Sequence, residues 1–327
     1  MRSAQAHPCG PRSRTVRDAT RLARYENAME FSPVEPESLA LDCRLPLRQT
    51  APVVVASPHS GSLYPASFLA QAAVPLAALR RAEDAFVDEL FAIAPAIGIP
   101  LLAARFPRSY VDANREPYEL DPAMFEGPLP RPLNHRSSRV AAGLGMIPRV
   151  AASGEPIYRT RVSSDEIELR LSACWRPYHA ALTSLVEQTH RTFGSALLVD
   201  AHSMPSSASG VGPREREQRI DIVLGDNHGE ACAPHLVDWV ERWLAGRGLR
   251  VQRNQPYAGG FTTQRYGRPD LGRHALQIEI NRALYMDELR HEKLPAAGTV
   301  ERLMSRLLEE LADEASSHLA PRPVAAE

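Results

Sequence analysis

Lysine is almost absent from this 327-residue chain: Lys293 is the only one, and arginine carries nearly all of the positive charge. A Schiff-base lysine or a phosphate-loop lysine is thereby effectively excluded, because Lys293 lies in a polar stretch without a glycine loop. Cysteine is scarce as well. Cys9, Cys43, Cys174 and Cys232 are scattered, with no Cys-x-x-Cys pair and no metal-knuckle spacing. They read as reduced thiols of a cytoplasmic protein, not as a disulfide framework. No apolar run approaches the ~18 residues needed to span a bilayer. An excess of either charge is also missing, since 38 Lys and Arg stand against 39 Asp and Glu. A nucleic-acid surface and a membrane are therefore not expected as partners. Gly-x-Ser-x-Gly, Gly-x-Gly-x-x-Gly and P-loop signatures are all lacking.

The first residues are rich in arginine and have no apolar core, so they do not read as a secretory signal. The expectation is a disordered extension over 1–30, one catalytic domain over 31–318 and a frayed tail over 319–327. Within the domain, short β-branched or apolar runs alternate with helical periods. Strands are expected at 52–57, 100–104, 109–112, 196–200, 220–224, 249–253 and 275–281. Helices are expected at 83–97, at 164–192 with a kink or division at Pro177, at 230–244 and at 299–315. Residues 121–154 are rich in Pro, Gly and Arg and read as one long loop, a length that often covers a functional site. The pattern is that of an α/β protein with a largely parallel central sheet and helices on both faces. In such sheets ligands lie beyond the carboxyl ends of the strands, so the polar residues there carry the functional reading.

Two histidines occupy equivalent positions. His59 follows one buried strand in SPHSG, and His202 follows another in VDAHS. Two imidazoles and one carboxylate form a usual ligand set for a catalytic zinc ion. The HxxE spacing of many zinc peptidases fails here, because Ser62 stands where the glutamate would be. The acid must come from elsewhere, and Glu83 and Asp84 both qualify. Glu279 lies inside the apolar run LQIEI, where an ionised carboxylate needs a partner or a task, and burial would raise its pKa toward that of a general base. The segment RFPRSYVDANR places Arg105, Arg108 and Arg115 around one element, which suits an acidic substrate. Arg105 is the one expected to form a structural ion pair with Asp112, and His179 is expected to pack or hydrogen-bond within its helix. Gly259-Gly260 suggests a close backbone approach or a mobile loop.

Together SPHSG, EDAFVDELF, RFPRSYVDANR, VDAHS and YAGGFTTQRYGRPDLGRHALQIEINRALYMDE resemble the N-formylglutamate amidohydrolase family over about residues 52–288. The resemblance implies hydrolysis of N-formyl-L-glutamate to formate and L-glutamate in histidine degradation. It also implies a mixed, mostly parallel sheet of the zinc-carboxypeptidase-like kind and one divalent metal, zinc. By resemblance His59, Asp84 and His202 are the metal ligands, and Asp84 is preferred to Glu83. Glu279 matches the general base, Arg108 the arginine that polarises the scissile carbonyl, and Asn114 with Arg115 the pair that grips a substrate carboxylate. The expected partner is a small acidic N-acyl amino acid, and the expected state a monomer or small homo-oligomer. Two alternatives are a zinc amidase for another N-acyl amino acid or short peptide, and a non-catalytic binder of acidic small molecules.

Overall fold

The computed structural model describes residues 41–209 and 219–319. These all belong to one compact unit, Val34–Glu327; the expected extension at 1–30 and nearly all of the expected tail lie outside the described residues. Seven strands make the central sheet: β1 Asp42–Arg44, β2 Val53–Ser57, β3 Leu101–Ala103, β4 Ala196–Met204, β5 Ile222–Gly225, β6 Val251–Arg253 and β7 Arg273–Asn281. Their order across the sheet is β1-β3-β2-β4-β7-β5-β6. The pairs β2–β3, β2–β4, β4–β7 and β5–β6 are parallel, and β1–β3 and β5–β7 are antiparallel. The sheet is thus mixed and mostly parallel, flanked by helices in a single α/β domain, as the sequence led us to expect.

Side chains alternate across a strand with a period of two, and β4 and β7 show what that achieves. Leu197, Val199 and Ala201 face one side with Leu276, Ile278 and Ile280. Helix Pro234–Ala245 and helix Ala297–His318 cover that side. The second of these presents Val300, Met304, Leu307, Leu308, Leu311 and Ala315, which is helical spacing along one face. Leu198 and Ala275 face the other side, against Tyr178, Leu182 and Val186 of helix Arg176–Phe193. Further along the strands this second side changes character: Asp200 and His202 follow Leu198, and Gln277 and Glu279 follow Ala275. Register sets Asp200 beside Gln277 and His202 beside Glu279. The polar patch therefore opens at the carboxyl ends of the two central strands.

Three local expectations change. The helix expected over 83–97 is reduced to Val87–Leu90 and a 3₁₀ turn, Ala94–Ile97. The Asp84 backbone N–H donates to the His59 carbonyl at 3.0 Å, and Phe86 takes a left-handed φ of 67°, so Glu83 and Asp84 sit in a turn instead of a first helical turn. The strand expected at 109–112 is also a turn. The Pro107 carbonyl accepts from Tyr110 and Val111, and the Asp112 side chain accepts the Asn114 N–H at 2.9 Å, an Asx-type closure. Finally, His202 is not past its strand but inside it, because β4 continues to Met204. The long helix divides as expected: Asp165–Arg170 passes through a wide π turn, Leu171–Trp175, into Arg176–Phe193. A wider turn accommodates the N–H that Pro177 lacks. Among the described residues no helix is long and apolar enough to cross a membrane.

Candidate metal centre and active site

His59, Asp84 and His202 converge, with one ligand atom of each lying within 4.8 Å of the others. Asp84 Oδ2 is 3.0 Å from His202 Nδ1 and 3.3 Å from His59 Nδ1. All three residues are buried. The histidine rings meet edge-on, with centroids 4.8 Å apart. Each ring has its far nitrogen against a further carboxylate: His59 Nε2 lies 2.7 Å from Asp112 Oδ1, and His202 Nε2 lies 3.1 Å from Asp200 Oδ1. Asn114 Nδ2 is 3.3 Å from the same His202 nitrogen. Carboxylates in this place fix the tautomer and orientation of metal-binding histidines.

Two observations test whether the group suits a metal ion. His59 Nδ1 is a buried nitrogen that makes no hydrogen bond, aimed at the point where the other two donors meet. The electrostatics agree. Burial works against a charged His202, yet Asp200 and Asp84 outweigh it and hold the imidazole well above its ordinary pKa. Burial likewise works to raise Asp84, but its contacts with His202 and His59 and the charge of Arg282 hold it well below the usual carboxylate range. The acidic surroundings that hold a proton on His202 favour a cation, and two imidazoles with one carboxylate are a donor set that could hold a divalent metal ion.

Glu83, the alternative acid, is elsewhere: it accepts from Tyr64 Oη at 2.6 Å and contacts His291 Nε2 at 2.9 Å and Arg80 Nε at 3.3 Å. Arg282 holds Asp84 from behind, donating from Nη2 to its Oδ1 at 2.9 Å, and its other two nitrogens donate to Ser203 Oγ and the Arg81 carbonyl. Arg105 does not pair with Asp112; it is exposed, and Arg108 takes Asp112 Oδ2 at 2.9 Å instead. The turn at Pro107 carries Arg108 inward, whereas Arg105 precedes it. Asp112 stays well below its usual pKa because Arg108, His59 and Arg115 outweigh burial.

A cavity of about 310 Å³ opens over this cluster, lined by His59, His202, Glu279, Arg108, Asn114 and Arg115 among others. Glu279 is held by Gln277, whose Nε2 donates to Glu279 Oε1 at 2.9 Å. Burial is the main reason that its pKa is pushed up to about 7, with His202, Arg108 and Arg282 resisting and Asp84 assisting. Asn114 Oδ1 accepts the Thr262 N–H at 2.8 Å, and a Cβ on Gly260 would lie only 2.4 Å from the Asn114 amide. Glycine there is a packing requirement, which is the close approach expected of Gly259-Gly260. Arg115 is largely buried; it donates to the Leu144 and Asn114 carbonyls. His179 bridges elements instead of staying within its helix, meeting the Ala113 carbonyl at 2.8 Å and Tyr266 Oη at 3.0 Å. The segment read as one long loop holds a 3₁₀ turn Pro122–Met124, a short strand Phe125–Glu126 and a helix Ser138–Ala141, and its Arg139, Leu144, Pro148, Val150 and Ala152 line the cavity.

The family model described as N-formylglutamate amidohydrolase matches residues 51–286. A protein of Pseudomonas aeruginosa named N-formylglutamate deformylase is 30% identical over 74% of this chain and 84% of its own length. One of the same name from Pseudomonas putida is 28% identical over 72% and 82%. Among solved structures, the N-formylglutamate amidohydrolase of Ralstonia eutropha JMP134 superposes with a TM-score of 0.79. It has 39% identity, covering 85% of this chain and 99% of that one.

Proposed function

Because the chain belongs to the N-formylglutamate amidohydrolase family, we propose that it is a metal-dependent hydrolase that splits N-formyl-L-glutamate into formate and L-glutamate. The observation that carries this reading is the meeting of three metal-type donors with Glu279 in one cavity edged by arginine. His59, Asp84 and His202 would hold one zinc ion, which supplies a bound water of pKa ~7 and polarises a carbonyl oxygen. Glu279 takes the proton of the attacking water as its oxygen bonds to the formyl carbon. The same carboxyl then gives the proton to the amide nitrogen as the C–N bond breaks, releasing formate and a free amine. Gln277 fixes the carboxylate for both transfers. Arg108, anchored by Asp112 at one nitrogen, has further N–H groups for the developing oxyanion. Asn114 and Arg115 also line the cavity and would grip the carboxylate on the substrate's α-carbon.

Formate release from N-formyl-L-glutamate, read alongside metal content, tests the reading. The purified protein should carry about one zinc per chain. A chelator should abolish turnover and added zinc restore it. Full turnover after complete metal removal would end the metal assignment, and absence of formate release from the zinc-loaded protein would end the substrate assignment.

A further inference from the structure

N-formyl-L-glutamate carries two carboxylates, and the cavity holds five arginines: Arg81, Arg108, Arg115, Arg139 and Arg282. Most are committed to the protein. The three nitrogens of Arg282 donate to Asp84, Ser203 and a backbone carbonyl. Arg108 pairs with Asp112, and Arg115 spends two donor groups on the carbonyls of Leu144 and Asn114. Arg81 and Arg139 are different: neither guanidinium makes a hydrogen bond or an ion pair among the described residues, although both line the cavity. Arg81 lies on the Arg282 side, where its carbonyl accepts from Arg282, and it also lines the neighbouring pocket with Glu83 and His291. Arg139 lies on the Arg115 side, near enough for its charge to act on Arg115. It is presented by the short helix Ser138–Ala141, where the Ser137 side chain accepts the Val140 N–H at 3.1 Å and donates to Glu119. The bond from Arg115 to Leu144 ties that cover segment to the turn that carries Asn114.

Resting on the functional reading above, we propose that Arg139 is the specificity-determining residue that binds the side-chain carboxylate of the substrate. Reach distinguishes the two carboxylates. The α-carboxylate is bonded to the carbon next to the scissile nitrogen, so it stays near Asn114 and Arg115, close to His202. The side-chain carboxylate is two methylenes further out, and Arg139, exposed to solvent yet lining the cavity, is placed to meet it there. Leu144, Pro148 and Val150 line the same cavity and give an apolar wall for those methylenes. Charge agrees as well. Burial first, then the like charges of Arg108 and Arg139, act against the pull of Asp112 to lower the pKa of Arg115. A dianionic substrate relieves that repulsion, and a neutral side chain does not.

The test compares wild type, Arg139→Gln and Arg139→Lys on N-formyl-L-glutamate and on its neutral isostere N-formyl-L-glutamine. A lost charge-assisted hydrogen bond corresponds to about 10- to 100-fold. Arg139→Gln should lose that much in kcat/KM on the glutamate substrate, mostly through KM, and at most about threefold on the glutamine substrate. Arg139→Lys, which keeps the charge, should recover part of the loss. Calorimetric titration with L-glutamate and L-glutamine reads the same preference without turnover, so it still decides the matter if the wild type proves inactive on formyl substrates. Equal loss on both substrates and both ligands, or no loss on either, overturns the assignment.

Discussion

Neighbouring residues of β4 and β7 live in opposite environments. Ala201 and Ile278 point into an apolar face closed by two helices. His202 and Glu279, one residue further on, point into a cavity that holds ionisable groups. The two faces share the same backbone hydrogen bonds and the same strand register. What differs is the side chains they present and what covers them: helices along one side, and on the other helix Arg176–Phe193 over Leu198 and Ala275, giving way to turns and an irregular cover segment over His202 and Glu279. The apolar face anchors the two strands in the core, and the other face leaves His202 and Glu279 open to the cavity.

The comparison breaks most sharply at Glu279. Glu279→Gln keeps the size and most hydrogen-bonding capacity of the side chain, so folding and zinc content should be unchanged. Turnover should fall by ~10²–10⁴-fold, the usual worth of general acid–base catalysis. Near-normal turnover would remove Glu279 from the chemistry. Ile278→Ala is the complement on the other face. Ile278 is fully buried, and truncation to alanine should lower stability by about 2–5 kcal/mol through lost burial and the cavity left behind. Activity per folded, metal-loaded molecule should change little. Denaturant unfolding and activity assayed on the same samples separate the two effects. A large loss of kcat with intact stability in Ile278→Ala would mean the two faces are not independent.

These neighbours also show what could be read from residues alone. Six of the seven sheet strands were legible because they are short apolar runs, whereas the half-exposed edge strand Asp42–Arg44 was missed; the two histidines stood out because a polar ring at such a run's end is unusual. Glu83 and Asp84 could not be separated by pattern, since both are acids in one turn. The fold separates them: the Asp84 carboxylate meets both histidines and Arg282, while Glu83 turns to Tyr64 and His291. Asp200 and Gln277 were missed although a signal existed. Each lies two residues before a site residue, and a period of two puts both on the same face. Arg282 and Arg139 offered no such signal. Arg282 meets a partner 198 positions away in sequence, and Arg139 belongs to a segment whose path follows no period. The turn at Asp112 was misread as a strand because Val111 and its aromatic neighbour Tyr110 favour strands, while Pro107 and the Asx closure decide the backbone.

The smallest effect lies just behind the open face. His179 is buried against the Ala113 carbonyl and Tyr266, and burial pulls its pKa down from 6.5 to about 4. The folded protein thus keeps this ring neutral where the unfolded chain would protonate it. Its stabilising contribution is complete above pH 6.5 and is lost as pH falls from there toward 4, because the unfolded state then binds the extra proton. A difference of about 2.5 pKa units corresponds to at most about 3 kcal/mol over that window. Urea midpoints at pH 7.5, 6 and 5 should therefore fall more steeply for wild type than for His179→Gln. His274, also lowered to about 4 by burial, remains in both proteins and cancels in the comparison, as does any loss of metal at low pH. Parallel curves would show that His179 is not a source of acid lability, and that the ring behind the open face tolerates charge as readily as a surface histidine does.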